Sequence, residues 1–114
     1  MFYLKLTKAI ESAESDHGIS KFDSISKEIL KRVASTDETT HLLRMKDLSD
    51  LGSFPTIQNH LNSLIELGWI ERHYSENDKR VVNLSVAPTA RQALNAISDG
   101  LLEWYRIGQV QKLR

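Results

Sequence analysis

Thr56, Gln58, Asn59, Asn62 and Ser63 gather hydroxyls and amides into one short stretch of this chain, and Asn77-Asp78-Lys79-Arg80 adds a charged cluster further along. An Asn or Gln amide carries a donor and an acceptor side by side, so it can hold an adenine edge with two hydrogen bonds. Ser and Thr at a helix N-terminus suit phosphate. Lysine and arginine at a hairpin tip can rest on phosphate or enter a minor groove. This is the chemistry of recognition rather than of bond-making. A solvated helix exterior has a similar composition; what favours recognition is the charged hairpin that follows the polar helix.

Reaction chemistry has no comparable support. His17, His41, His60 and His73 are scattered without ligand spacing, and the chain has no cysteine, so neither a zinc nor a thiolate site is expected. The sequence contains no phosphate-binding glycine loop, no Gly-x-Ser-x-Gly elbow and no paired-carboxylate motif. The expectation is a protein that is not an enzyme and uses no metal or cofactor.

The polar stretch needs a helix to display it. Ser53 can cap orphan amides and Pro55 is tolerated in a first turn, while Gly68 supplies a left-handed stop, so start and stop signals bracket Phe54 to Leu67. At 100° per residue Ile57, Leu61, Leu64 and, at the margin, Ile65 form an apolar stripe, opposite Pro55, Asn59, Asn62, Ser63 and Glu66. Trp69–Tyr74 and Val81–Val86 then read as hairpin strands around the polar segment from Ser75 to Arg80. Val82, Leu84 and Val86 alternate with Asn83 and Ser85, so one face meets a core and the other meets solvent.

The run from Ser53 through Arg72, followed by the stretch from Asn77 to Ala90, resembles the winged-helix core of the MarR-type transcriptional regulators. The resemblance rests on Leu64, Leu67-Gly68-Trp69-Ile70, Arg72, Asp78-Lys79-Arg80 and Leu84, and covers about half the chain. It implies an α+β, mostly α fold, a winged helix-turn-helix core with N- and C-terminal dimerisation helices. It implies a sequence-specific, double-stranded DNA-binding transcriptional regulator acting as a homodimeric repressor. By the same resemblance Asp78 braces the wing through Arg72, Arg80 enters the minor groove, and Lys79 lies beside it on phosphate. Ser53, Thr56, Gln58, Asn59, Asn62 and Ser63 belong to the helix that meets the major groove. Small-molecule effectors are widespread in that family, although no residue here points to a particular one. The chain departs from the pattern in being short, in placing Ala90 where a glycine is usual, and in giving its short first helix, Arg44–Leu51, no capping residue at its start.

With 114 residues and 40% hydrophobic content, residues 1–114 are expected to form a single domain. Terminal helices are expected at about 1–16 and 88–112 and a DNA-binding core at about 40–87. An N-terminal apolar patch, Met1-Phe2-Tyr3-Leu4 with Leu6, opens a helix running to about Ser15. Asp23 or Ser24 opens a second helix carrying Ile25, Ile29 and Val33, and Asp16-His17-Gly18 is a turn between the two. Ala34–His41 reads as a loop and Leu42-Leu43 as a short first strand. After Pro88, Leu94, Ile97, Leu101, Trp104 or Tyr105, and Gly108 make an apolar seam that suits dimerisation and equally suits packing on the chain's own N-terminal helix.

No apolar run reaches the roughly 18 residues of a membrane span, and the N-terminus has no signal-peptide core, so a cytoplasmic protein without membrane contact is expected. Fifteen basic and 15 acidic residues cancel. Such balance makes a monomer a weak DNA binder and a two-fold dimer nearly obligatory. It also keeps two alternatives open: a winged helix used as a protein-interaction module, and a DNA-binding subunit of a replication or mobile-element complex.

Overall fold

The computed structural model describes residues 1–36, 43–74, 76 and 82–112. Its elements run α1 (Phe2–Asp16), α2 (Ser24–Thr36), β1 (Leu43–Arg44), a 3-10 helix (Met45–Leu51), α3 (Phe54–Glu66), β2 (Ile70–Tyr74), β3 (Val82–Val86) and α4 (Pro88–Lys112). This is the expected α+β, mostly α architecture. The chain divides into two compact units, Phe22–Arg91, and Met1–Lys21 with Gln92–Arg114.

In the unit Phe22–Arg91, α2 begins where a carboxylate can satisfy its first amides. Asp23 Oδ1 accepts the Ser26 N–H at 2.8 Å and the Asp23 carbonyl accepts that of Lys27 at 3.0 Å. Ile29, Leu30 and Val33 are buried, while Ile25 is half-buried. The short first helix expected over Arg44–Leu51 is corrected by the structure: Arg44 belongs to β1, and Met45–Leu51 is wound as a 3-10 helix. A short segment with no capping side chain ahead of it gains little from α-helical bonds, and the tighter turn suits such pieces. Asp47 reaches back to accept the Arg44 N–H at 3.0 Å, and Leu48 anchors the segment in the core.

α3 ends in a Schellman motif: Trp69 N–H bonds Leu64 O at 2.9 Å and Gly68 N–H bonds Ile65 O at 3.0 Å, with Gly68 at φ 80°. The left-handed turn sends the chain directly into β2. Phe22 meets Trp69 edge-on at 5.3 Å.

The three strands are antiparallel in the order β1-β3-β2. Register pairs Ile70 with Val86, Arg72 with Leu84 and Tyr74 with Val82, while Leu43 lies opposite Leu84. Leu84 and Val86 are buried and Asn83 and Ser85 are not, as the alternation expects. Trp69 precedes the first hairpin strand rather than opening it. Leu42 and Val81, expected at strand ends, lie outside the described residues.

The other unit contains α1 and most of α4. Phe2 stacks on Trp104 with ring centroids 6.0 Å apart and meets Tyr105 edge-on, so part of the C-terminal seam packs on the chain's own N-terminal helix. A groove lined by Ala9, Ala13, Ala96 and Gly100 runs along these helices. Among the described residues, no helix is long and apolar enough to cross a membrane.

Candidate nucleic-acid interface

α3 is held from three sides before any of its polar residues can meet a ligand. From within, Ile57, Leu61 and Leu64 are each no more than 2% exposed. At its N-terminus Ser53 Oγ accepts the Thr56 N–H at 3.4 Å, and the two hydroxyls hydrogen-bond at 2.9 Å. Ser53 and Thr56 therefore cap and stiffen the first turn.

The third restraint comes from α2. His60 Nδ1 lies 3.1 Å from Asp23 Oδ2 and 3.2 Å from Ser26 Oγ, and Ser26 is buried. Asp23 thus serves two elements, capping α2 with one oxygen and facing α3 with the other. The Ser26 backbone N–H, followed by the Ser26 hydroxyl and His60, holds the Asp23 carboxyl below its ordinary value of 3.8. Sequence pattern assigns His60 no such role. A His and an Asp thirty-seven positions apart carry no local signal.

A second clamp fixes the 3-10 helix. The Arg32 guanidinium grips Asp50 with two parallel bonds, Nη1 to Oδ1 at 2.6 Å and Nη2 to Oδ2 at 2.7 Å, and Nε reaches Glu28 at 3.2 Å. Hydrogen bonding to Arg32 lowers the pKa of Asp50, and the same bonds raise that of Arg32.

On the outward side of α3, Gln58, Asn59 and Ser63 are exposed, and Ser63 Oγ bonds back to Asn59 O at 3.2 Å. Asn62 differs: it is half-buried, and its Oδ1 accepts a hydrogen bond from Arg72 Nη2 at 2.7 Å. Asp78, Lys79 and Arg80 lie outside the described residues, as does the expected brace between Asp78 and Arg72. The described partner of Arg72 is on α3.

Beside this face lies a cleft of about 420 Å³, lined by Arg44, Lys46, Phe54, Gln58, Arg72 and Tyr74 over a floor of Met45, Leu61 and Val82. It brings together cations from β1, the 3-10 helix and β2, with an amide from α3. Arg44, Lys46, Phe54 and Tyr74 are not among the residues that the sequence pattern singles out. Relative to Ile57 and Leu61, Phe54 has the angular position of a core residue, yet it is 63% exposed at the first turn of α3. Periodicity cannot reveal that. Arg44 and Lys46 are visible in the sequence as basic residues, but nothing local places them next to Arg72.

A capped, outward-facing helix that runs through a glycine turn into a two-stranded hairpin, with a third strand on the far side, defines a winged helix-turn-helix. Solved structures share it. The chain is similar to a mutant of MepR from S. aureus bound to an oligodeoxyribonucleotide, with a TM-score of 0.76 and 16% identity over 97% of this chain and 78% of that one. It is similar to FabT from Streptococcus pneumoniae in complex with DNA, with a TM-score of 0.62 and 19% identity over 98% of this chain and 73% of that one. Against MarR the TM-score is 0.58 at 18% identity, over 87% of this chain and 69% of that one. No family sequence model and no curated protein sequence matches it. The chain has the winged-helix fold of the MarR-type regulators.

Proposed function

We propose that this chain is a sequence-specific regulator of transcription, which binds double-stranded DNA as a homodimer and acts as a repressor. The observation that carries the reading is the surface around α3: exposed Gln58 and Asn59 amides lie beside a cleft edged by Arg44, Lys46 and Arg72. Amides suit base edges and the cations suit the flanking phosphates. Two proteins of the same fold, the MepR mutant and FabT, were solved on DNA. Ser53, Thr56, Asn59 and Ser63 complete the groove-facing helix, and Asp78, Lys79 and Arg80 supply the wing by the sequence resemblance.

Dimerisation is supported by the terminal unit, which leaves Phe2, Tyr3, Leu4, Leu102, Tyr105 and Ile107 exposed. Apolar surface of this extent is typical of an interface. A net charge of zero makes the second copy necessary, because phosphate neutralisation must be collected from two helices and two wings. Residues 1–114 are read as one such domain, cytoplasmic and without enzymatic activity. The same zero charge favours one competing reading, a winged helix that binds protein.

Selection of duplexes from a random pool, followed by binding measured across salt concentrations, tests the proposal. A preferred two-fold site is expected, bound with an affinity that falls steeply with salt. Arg80→Ala should shallow the log–log slope by about one unit for each phosphate that a wing no longer neutralises, with the thermal melt unchanged. A dimer that shows no salt-dependent duplex binding would leave the protein-interaction reading standing.

A further inference from the structure

Asn62 has the residue type of a base reader and the position of one, but its oxygen already accepts a hydrogen bond from within the protein. Arg72 can only donate, so the Asn62 amide must turn its oxygen toward β2, and Nη2–H meets Oδ1 at 2.7 Å. Reading adenine takes the oxygen and the NH2 of one amide together. A short, charge-assisted bond from a guanidinium takes one lone pair of that oxygen and fixes the amide by the strand rather than by a base edge. Gln58 and Asn59 are exposed on the same helix, and among the described residues neither amide is held as that of Asn62 is.

Arg72 is the complementary case. Its position two residues after buried Ile70 places it on the core-facing side of β2, and it is half-buried there. Arg72 lines the cleft that Arg44 and Lys46 also line, and both of those residues are exposed. An arginine already held in one geometry loses less freedom when it takes a phosphate than a freely rotating one.

We propose that Asn62 is a positioning residue: it holds the Arg72 guanidinium at the edge of the cleft, beside Arg44 and Lys46, ready for a DNA phosphate, and it reads no base. The inference rests on the DNA-binding reading above. It moves Asn62 from the sequence-reading group to the backbone-contacting group, and it leaves base discrimination on α3 to Gln58 and Asn59.

The test compares the 114-residue chain with Asn62→Ala, Asn62→Asp, Arg72→Ala, the Asn62→Ala/Arg72→Ala double variant and Asn59→Ala. Each is titrated by fluorescence anisotropy against the selected duplex and against a random duplex of equal length, over a range of salt, with thermal melts alongside. Asn62→Ala should weaken both duplexes by the same factor and shallow the salt slope, by up to about one unit per half-site. The double variant should bind no worse than Arg72→Ala alone. Asn62→Asp keeps an oxygen for Arg72 and gives up the N–H that a base would need, so it should keep the wild-type ratio of selected to random binding. Asn59→Ala should lose that ratio. The proposal is overturned if Asn62→Ala weakens the selected duplex alone with its salt slope intact, or if the losses from Asn62→Ala and Arg72→Ala multiply in the double variant. A wild-type chain that binds neither duplex would instead bring down the DNA-binding reading, and this inference with it.

Discussion

Between Phe22 and Arg91 a closed core hides Ile29, Leu30, Leu48, Leu61, Leu64, Ile70 and Leu84, all 2% exposed or less, while Phe54, Leu67 and Tyr74 stay exposed. In the terminal unit α1 buries none of its residues fully, and Met1, Phe2, Tyr3, Leu4, Leu102, Tyr105 and Ile107 are exposed. The difference separates two tasks. The first unit closes its own core, with exposed Phe54 and Tyr74 lining the cleft beside α3; the second keeps much of its apolar surface open. Fully burying a large apolar side chain contributes about 1.5–3 kcal/mol, so the proposed second copy would gain a strong driving force by covering even part of that surface.

The contrast can be broken most severely from inside the self-sufficient unit. Leu61→Ala leaves a hole where α3 meets the core, and should destabilise the protein by about 2–5 kcal/mol in denaturant unfolding. A loss under about 1 kcal/mol would mean that α3 is not anchored as described. On the other side, Leu102→Glu puts a charge in the open apolar surface. It should convert a dimer of twice the 13.0 kDa chain mass to monomer in light scattering, and weaken association by about 2 kcal/mol or more. If mass stays unchanged at micromolar concentration, the exposed apolar surface serves something other than dimerisation.

Smaller effects sharpen the comparison on the polar face. Asn59→Ala should cost about 1–3 kcal/mol on the preferred duplex and relax discrimination there, with dimer mass and melting unchanged. Equal losses on random duplex would remove Asn59 from base recognition. The smallest effect concerns acid. Because the folded-state pKa of Asp23 lies below its ordinary value of 3.8, its contribution is complete above that value and is lost as the pH falls through the folded-state pKa. Asp23→Asn should therefore flatten part of the decline in stability between about pH 5 and pH 2, measured as denaturant midpoints. An acid limb identical to that of the wild type would show that the Asp23 carboxylate contributes no net stability.

Local elements are legible wherever neighbouring residues carry the signal. Asp23 ahead of Ser24 announces the start of α2, and Ser53 with Pro55 announces that of α3. Gly68 marks the turn into the hairpin because the left-handed backbone there excludes most other residues. The stripe of Ile57, Leu61 and Leu64 and the alternation of Leu84 and Val86 identify the buried faces correctly. The Arg44–Leu51 segment departs from its expected helix because its outcome depends on pairing: Arg44 is recruited by β3, opposite Asn83, and the remainder tightens into a 3-10 helix.

The candidate site is legible in its residue types and not in its allegiances. From sequence, Asn62 and Asn59 are equivalent amides on one helix face; in the folded chain one holds Arg72 and the other is exposed. Likewise His60 is one of four scattered histidines until the fold brings it to Asp23 and Ser26.

The sequence by itself determined the starts of α2 and α3, the glycine turn, the hairpin and the supply of amides and cations, because hydrophobic period, capping and backbone sterics act over a few residues. Tertiary structure alone decided that Arg44, Lys46 and Arg72 share one cleft, that Asn62 is committed to a strand, and that Asp23 serves two helices. Those outcomes depend on side chains apart in the chain being brought together, the last two pairs to about 3 Å, which only the completed packing of α2, α3 and the sheet can set.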